Sequence, residues 1–189
     1  MLYKKTLSLV IRLATMLLTI AMLILGVCAK ENESHSWYCK RASNHAQPSL
    51  PSEFSFINEN EGYWIGNADE KVVYLTFDAG YENGNIEKIL DTLREKKVHA
   101  AFFVLINLLQ KEPALVQRME NDGHLVCNHT AHHKDMSKIV DKRQFYSELH
   151  ALEIAYKELT GNDIQGFYRP PEGRFNKRNL EIAYEYGYK

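Results

Sequence analysis

The sequence predicts an α/β protein in which parallel β-strands alternate with helices. Four short apolar runs are each followed by a segment with apolar residues at helical spacing. This alternation favours a parallel sheet, because each helix returns the chain to the end of the sheet where the next strand must begin. The pattern leaves open whether the sheet stays open or closes into a barrel. The length of 189 residues suits one domain and a leader.

The predicted strands are apolar on both faces, which is typical of strands buried between layers of helices. They cover residues 72–77, 100–105, 124–127 and 166–168. The helices between them carry start and stop signals. The predicted starts are Asn85, Pro113, Asp141 and Asn176, and the predicted ends are Gly123 and Gly161.

The segment 1–29 has the pattern of an export signal. Lys4, Lys5 and Arg12 form a basic head, and the segment 13–29 carries no charge. A basic start, an apolar core and small residues at its end are typical of a secretory signal peptide, here with cleavage after Ala29. An uncleaved membrane anchor and a lipidated Cys28 are the alternatives. We therefore expect an exported protein that contacts the membrane only through this segment.

The segment 30–61 is predicted to be a polar linker, because it is rich in Ser and Asn and shows no helical or strand period. The domain itself is expected to span residues 62–189. A formal net charge of −1 gives no electrostatic support for a nucleic-acid partner. Outside the leader the cysteines are Cys39 and Cys127, and two such residues do not make a disulfide framework.

The predicted strands bring polar side chains to one edge of the sheet. The first strand runs into Asp78, the third into Asn128 and His129, and the fourth into Arg169. In parallel α/β folds the reacting groups lie at the carboxyl ends of the strands. Three separate strands that end in this way predict an active site at that edge.

His129 and His133 are candidate metal ligands. On a helical turn, side chains four residues apart face the same way and can share one ion. The alternative is a pair of surface histidines in a polar loop. Thr130 stands where a zinc protease would have Glu, which argues against that class of metal hydrolase. His132 is expected to face the solvent.

Asp78 and Arg169 are the other candidates for chemistry. A carboxylate beside a bound metal can act as general base toward water, whereas an ordinary loop aspartate is the alternative. Arg169 precedes two prolines, which favour extended backbone before them and suit a guanidinium held against a carboxylate. The alternative for Arg169 is an ordinary surface arginine.

Three segments occur in an order known from one protein family. They are TFDAGYEN at residues 76–83, HTAHH at residues 129–133 and RPPEG at residues 169–173. These segments resemble the first three motifs of the NodB-type polysaccharide deacetylases, and the resemblance covers residues 62–189. The GYEN extension and the doubled histidine are most similar to the spore-cortex branch. Members of that branch remove acetyl from muramic acid on the way to muramic δ-lactam.

The resemblance implies a distorted (β/α) barrel, of which about four βα units are present. It implies that Asp78 is the catalytic base, that Arg169 orients it, and that His129 and His133 bind a divalent metal, most commonly Zn²⁺. Weak binding is expected, because Ala79 stands where most members have a carboxylate ligand. The expected substrate-binding residues are Tyr81, Asn83, Asn128 and Pro171.

The function that follows is hydrolytic de-N-acetylation of peptidoglycan glycan strands in the cell wall or forespore envelope. The later family motifs, one of which supplies the catalytic acid, are expected beyond Lys189, so we expect the domain to be incomplete at its C-terminus and poorly active as it stands. The alternatives are a truncated, inactive relative and a wall-binding module. Retention of all four candidate residues for chemistry argues against a module that only binds.

Overall fold

A computed structural model describes the backbone of residues 2–189 and the side chains outside residues 1–10, 27–31 and 45. The chain divides into two compact units, of which the second is Ser34–Lys189. The first unit contains helix α1, Leu2–Glu31. Within the described part of the chain, no helix has the length and hydropathy needed to cross a membrane. The side chains of Lys4 and Lys5 and of the predicted cleavage site at Ala29 lie outside the described residues.

The second unit is an α/β structure built around a parallel sheet. Its elements in chain order are β1 His35–Ser36, α2 Phe56–Glu59, β2 Thr76–Ala79, α3 Ile86–Lys96, β3 Ala101–Val104, α4 Ile106–Lys111, α5 Pro113–Asn121, β4 Leu125–Asn128, α6 Lys142–Thr160, β5 Gln165–Tyr168, β6 Arg174–Phe175 and α7 Lys177–Glu185. The sheet has the order β2-β3-β4-β5, and all three strand pairs are parallel. The predicted fold class and the four strand–helix units are therefore confirmed.

The main apolar core lies between the sheet and the helices α3 to α6. Alternate strand residues such as Phe102 and Val104 face this core and are fully buried. The other strand face carries Phe103, whose ring lies beneath the guanidinium of Arg169. This alternation follows from the two-residue period of a strand. It places Asp78 and Arg169 on the face of the sheet that is opposite to the helices.

The first strand differs from its prediction. We expected residues 72–77 to form a buried strand, but the ladder runs over Thr76–Ala79, in register with Ala101–Val104. Val73 is 82% exposed and Tyr74 is 68% exposed. These residues are exposed because β2 lies at one edge of the described sheet, where β3 is its neighbour on one side. The residues before Thr76 extend past the start of β3.

Helix ends agree with the sequence in most places. The Asp141 carboxylate accepts hydrogen bonds from two N–H groups of α6, Asn176 caps α7, and Gly161 ends α6 with a positive φ of 80°. Asn85 occupies the N-cap position of α3 as predicted, but its side chain makes no capping hydrogen bond. Instead, the Glu82 carboxylate accepts a hydrogen bond from the Ile86 N–H at 3.0 Å.

The structure also differs from the prediction that residues 30–61 form a linker. Residues 34–61 belong to the same compact unit as the sheet. Strand β1 pairs antiparallel with β6, so that His35 lies opposite Phe175. Phe54 and Phe56 are buried against Phe175 in a cluster of aromatic rings. All four strands of the parallel sheet come between β1 and β6 in the sequence. Local periodicity could not indicate a pairing between segments so far apart.

Beyond α7 the backbone returns to the sheet. The Lys189 N–H donates to the carbonyl of Gly166, and the Tyr168 N–H donates to the carbonyl of Lys189, at 3.0 and 2.9 Å. This is the bonding pattern of a parallel strand beside β5. Lys189 therefore lies beside β5 in the position of a neighbouring parallel strand.

Candidate active site

A carboxylate–arginine pair connects the two outer strands of the sheet. The Arg169 guanidinium donates to Asp78 at 2.6 Å through one terminal nitrogen and to the Thr76 hydroxyl at 2.9 Å through the other. The guanidinium carbon lies 4.0 Å from the centre of the Phe103 ring. Two hydrogen bonds and a stacking contact fix the planar group in one orientation. The Asp78 carboxylate is therefore held in place while its side chain stays 49% exposed.

His129 is buried at the end of β4, and its tautomer follows from a single contact. Its Nδ1 lies 2.8 Å from the backbone carbonyl of Arg169. A carbonyl only accepts, so Nδ1 carries the proton and Nε2 keeps its lone pair in the neutral ring. Burial lowers the pKa of His129, although the Arg169 carbonyl and the Asp78 carboxylate act in the opposite direction. Neutral imidazole with one nitrogen held by a carbonyl is the usual state of a metal-binding histidine.

The rings of His129 and His133 lie together, with centroids 5.0 Å apart and planes at 70°. An imidazole centroid lies roughly 3 Å from an ion bound to its nitrogen, given a Zn–N bond of ~2.0–2.1 Å. The spacing of the rings therefore leaves room for one ion bound to both, and imidazole nitrogens are donors that Zn²⁺ accepts. Across the described residues, no group of three or more His, Cys, Asp or Glu side chains is arranged to hold an ion. His129 and His133, the two ligands that the resemblance implies, therefore lie side by side.

The turn that carries this pair is not helical, contrary to our expectation. Thr130 and His133 have positive φ values of 74° and 54°. A β-branched residue such as Thr rarely adopts this conformation, and strain of this kind persists only where the surroundings impose it. The two histidine rings come together because the turn folds back on itself. They do not come together by facing the same side of a helical turn, which was the predicted reason.

Every backbone N–H group from residue 129 to residue 133 has an acceptor. The His129 N–H donates to the Val104 carbonyl and the Thr130 N–H to the Asn128 side chain. Further along, Ala131 donates to the Glu148 carbonyl, His132 to the Glu148 carboxylate, and His133 to the Thr130 hydroxyl. The acceptors come from β3, from the last residue of β4, from α6 and from the turn itself. These bonds hold the strained turn in place.

Glu148 is the residue of the site that sequence reasoning missed. It lies on the buried face of α6 with a side chain only 4% exposed, and it contacts His132 and Lys134. Burial favours the neutral acid, but hydrogen bonds from Lys134 and His132 outweigh it and hold the pKa of Glu148 below its ordinary value. A charged residue between Phe145 and Leu149, on an otherwise apolar helix face, was the signal in the sequence. His132 is exposed as expected, yet its ring is bound to this carboxylate.

The predicted substrate-binding residues occupy different environments. Tyr81 is 73% exposed and lines a cleft of about 280 Å³ together with Asn107 and His132. Asn83 is exposed, whereas Pro171 is buried. Asn128 is fully buried, and its amide is bonded to Thr130, Leu149 and Tyr188. In this structure Asn128 supports the histidine turn from inside, and Tyr81 has the surface that a substrate contact requires.

The fold and the site define the class of the protein. It is an α/β protein of the partial (β/α)-barrel type, with a clamped carboxylate and a histidine pair at the carboxyl ends of its strands. A family model described as polysaccharide deacetylase matches residues 65–189. The chain belongs to the polysaccharide deacetylase family.

Two curated relatives and two solved structures are similar to most of the chain. An uncharacterized 30.6 kDa protein of Geobacillus stearothermophilus is 40% identical over 163 residues, covering 85% of this chain and 61% of that protein. The peptidoglycan-N-acetylmuramic acid deacetylase PdaA of Bacillus subtilis is 35% identical over 175 residues, covering 89% and 66%. The chain therefore spans less than two thirds of the length of either relative.

The structures agree with the sequence comparison. The structure of Bacillus subtilis PdaA, a family 4 carbohydrate esterase, matches with a TM-score of 0.80 at 35% identity, covering 84% of this chain and 68% of that chain. A family 4 carbohydrate esterase from Bacillus anthracis matches with a TM-score of 0.74 at 35% identity, covering 83% and 71%. The parallel sheet with its surrounding helices is the fold of these structures.

Proposed function

We propose that the protein is a metal-dependent peptidoglycan de-N-acetylase that acts on N-acetylmuramic acid. The observation that carries the proposal is the Asp78 carboxylate, fixed by Arg169 at the sheet edge where His129 presents an unprotonated Nε2. Asp78 is close enough to His129 to raise its pKa, although burial is the larger influence and lowers it. The similarity to PdaA supports muramic acid as the sugar.

In this proposal each residue has one task. Asp78 accepts a proton from the attacking water, as a general base should. Arg169 keeps that carboxylate in the orientation needed for proton transfer, since its other contacts to Thr76 and Phe103 prevent it from following the carboxylate. His129 and His133 would hold the divalent ion. When bound, such an ion polarises a carbonyl and lowers the pKa of water.

The reaction divides an amide into two products. Water gives a proton to Asp78 as it adds to the acetyl carbonyl. The nitrogen takes up a proton as the C–N bond breaks, and acetate leaves with the amine remaining on the sugar. On muramic acid without its peptide, that amine can then attack the lactyl carboxyl group, and loss of water closes a six-membered lactam. We therefore place the protein outside the cytoplasmic membrane, on the route to muramic δ-lactam in spore cortex, with the segment 1–29 as its export signal.

The test is acetate release from glycan strands whose muramic acid lacks peptide, with the full-length protein. Asp78→Asn should lower turnover by ~10²–10⁴-fold, the usual contribution of a general base. Asp163→Asn is the matched control, because Asp163 is also an aspartate paired with a cation, Lys157, but lies on the exposed loop after α6. Unaltered acetate release by Asp78→Asn would overturn the proposed mechanism. Glycan binding without acetate release by the unchanged protein would favour a wall-binding module.

The metal is tested separately by Zn²⁺ affinity, measured by competition with a chromogenic chelator. Replacement of both His129 and His133 by Ala should remove the specific site. His150→Ala is the matched control, since His150 is an exposed histidine bonded to Glu153. Equal Zn²⁺ affinity before and after the double replacement would show that these histidines are not the ligands.

A further inference from the structure

We propose that Glu148 is a positioning residue for the metal-binding histidines, acting through the backbone of the turn that carries them. The inference rests on the proposed function, because it takes His129 and His133 as the ligands. Glu148 belongs to none of the three motifs and lies on a helix, outside the segments that follow the strand ends in the sequence. It contacts the turn three times, through its backbone carbonyl, through its carboxylate to a backbone N–H, and through its carboxylate to a side chain.

The backbone bonds explain why a side chain on a neighbouring helix matters. Ala131 and His132 are the central residues of the turn, and both donate their N–H groups to Glu148, at 2.9 and 3.1 Å. The residues on either side, Thr130 and His133, have positive φ values and would relax toward ordinary backbone if the centre were released. Relaxation at Thr130 and His133 rotates the two halves of the turn, and the imidazole rings then separate.

The carboxylate is suited to this task in a way that a packed apolar side chain is not. It is buried, so its bond to the His132 N–H has little competition from water. The Lys134 ammonium lies 2.7 Å from the other carboxylate oxygen, which favours the ionised form of Glu148 and fixes its rotamer. Glu148 therefore bonds Ala131, His132 and Lys134 to α6. The same helix is anchored under the sheet by Leu149 and Leu152.

The experiment compares two replacements of equal length in the full chain. Glu148→Met keeps the size of the side chain but removes the acceptor, whereas Glu148→Gln keeps an oxygen that can accept from the His132 N–H. Loss of a residue that orients a ligand typically weakens metal binding by about 10–100-fold. We expect that loss of Zn²⁺ affinity in Glu148→Met, and an affinity close to that of the unchanged chain in Glu148→Gln.

A control separates positioning from general stability. Leu152→Ala removes a fully buried side chain from the same helix, one turn further from the histidines, and should destabilise the fold without changing Zn²⁺ affinity. Equal affinity in Glu148→Met and the unchanged chain would overturn the inference, and so would equal losses in Glu148→Met and Leu152→Ala. If His129→Ala and His133→Ala leave Zn²⁺ binding unchanged, the proposed metal site itself is refuted, independently of the result for Glu148.

A measurement on the unchanged chain covers the case in which Glu148→Met does not fold. Hydrogen exchange should find the His132 amide strongly protected, although its side chain is 60% exposed. Fast exchange of that amide, at the rate of the neighbouring loop, would show that Glu148 does not hold the turn.

Discussion

Replacement of Asn128 tests whether the histidine turn depends on a buried polar network. Its side-chain oxygen accepts from the Thr130 N–H at 2.8 Å, and its amide nitrogen donates to the Leu149 carbonyl and the Tyr188 hydroxyl at 3.1 and 2.8 Å. In Asn128→Ala the Thr130 N–H loses its acceptor in a fully buried position. The Tyr188 hydroxyl keeps a bond to Glu153 at 2.6 Å, so it is not left unpaired.

The size of the effect follows from these contacts. One orphaned buried donor costs about 1–3 kcal/mol, and two lost hydrogen bonds cost about 0.5–1.5 kcal/mol each, so Asn128→Ala should lose about 2–6 kcal/mol of unfolding free energy. Urea unfolding followed by tryptophan fluorescence measures this loss. Both tryptophans of the chain, Trp37 and Trp64, lie in the aromatic cluster of the second unit and report on its unfolding.

Asn128→Asp separates the acceptor from the donors. The carboxylate still accepts from Thr130, but it now directs an oxygen toward the carbonyl of Leu149, where a donor had been. Burial without a facing cation raises the folded-state pKa of such a group above its unfolded value. The deficit of the variant relative to the unchanged chain is therefore smallest below the ordinary carboxyl pKa of ~3.9. It grows as the pH rises from there and is complete above the raised value. A loss below about 1 kcal/mol in Asn128→Ala, or a pH-independent deficit in Asn128→Asp, would refute this reasoning.

Three further predictions concern other parts of the chain. His124 accepts a hydrogen bond from the Ala100 N–H, and burial lowers its pKa, so the folded state favours the neutral ring. The free energy of unfolding should therefore fall as the pH drops below ~6.5, the pKa of histidine in the unfolded chain. It should fall less steeply in His124→Asn, and urea unfolding across pH 5–7 measures both. Phe175→Ala should cost about 3–5 kcal/mol, because its ring packs against Phe54 in the aromatic cluster; thermal unfolding of that variant with an unchanged midpoint would contradict the packing. Mass spectrometry of the native protein should find an N-terminus at Lys30 or an intact membrane-bound chain, and a soluble cytoplasmic protein that begins at Met1 would contradict export.

The sequence was informative wherever the determinant was local. The apolar positions Phe145, Leu149 and Leu152 lie at helical spacing, and all three are fully buried on α6. Caps such as Asp141 and Asn176 act on backbone groups within three residues, so their roles followed directly from their positions. The convergence of Asp78 and Arg169 was predictable for a similar reason, because parallel strands bring their carboxyl ends to one edge.

The remaining features depend on partners that are distant in the sequence. The segment 34–61 was expected to be a linker, since its pairing with β6 and its packing on Phe175 have no local pattern. The exposure of Val73 and Tyr74 depends on which strands lie beside β2, and hydropathy alone does not specify that. The histidine turn is bonded to Glu148 of α6, which lies outside the local sequence. The spacing rule for helical turns therefore predicted that His129 and His133 lie together, but it predicted the wrong backbone.

The direction of Ala79 decides whether a side chain at this position can reach an ion held by the proposed histidine pair. Ala79 is 5% exposed and faces the apolar core between the sheet and its helices, whereas its neighbour Asp78 faces Arg169 on the opposite side. A single Ala79→Asp change would therefore place a carboxylate among apolar side chains before it supplied a third ligand, and an unpaired buried charge is strongly unfavourable. An added Cβ at the next residue, Gly80, would lie 2.5 Å from a side-chain carbon of Leu105, so a side chain there would require Leu105 to shift. With this backbone, a carboxylate at position 79 could approach the proposed histidine pair only if the end of β2 turned.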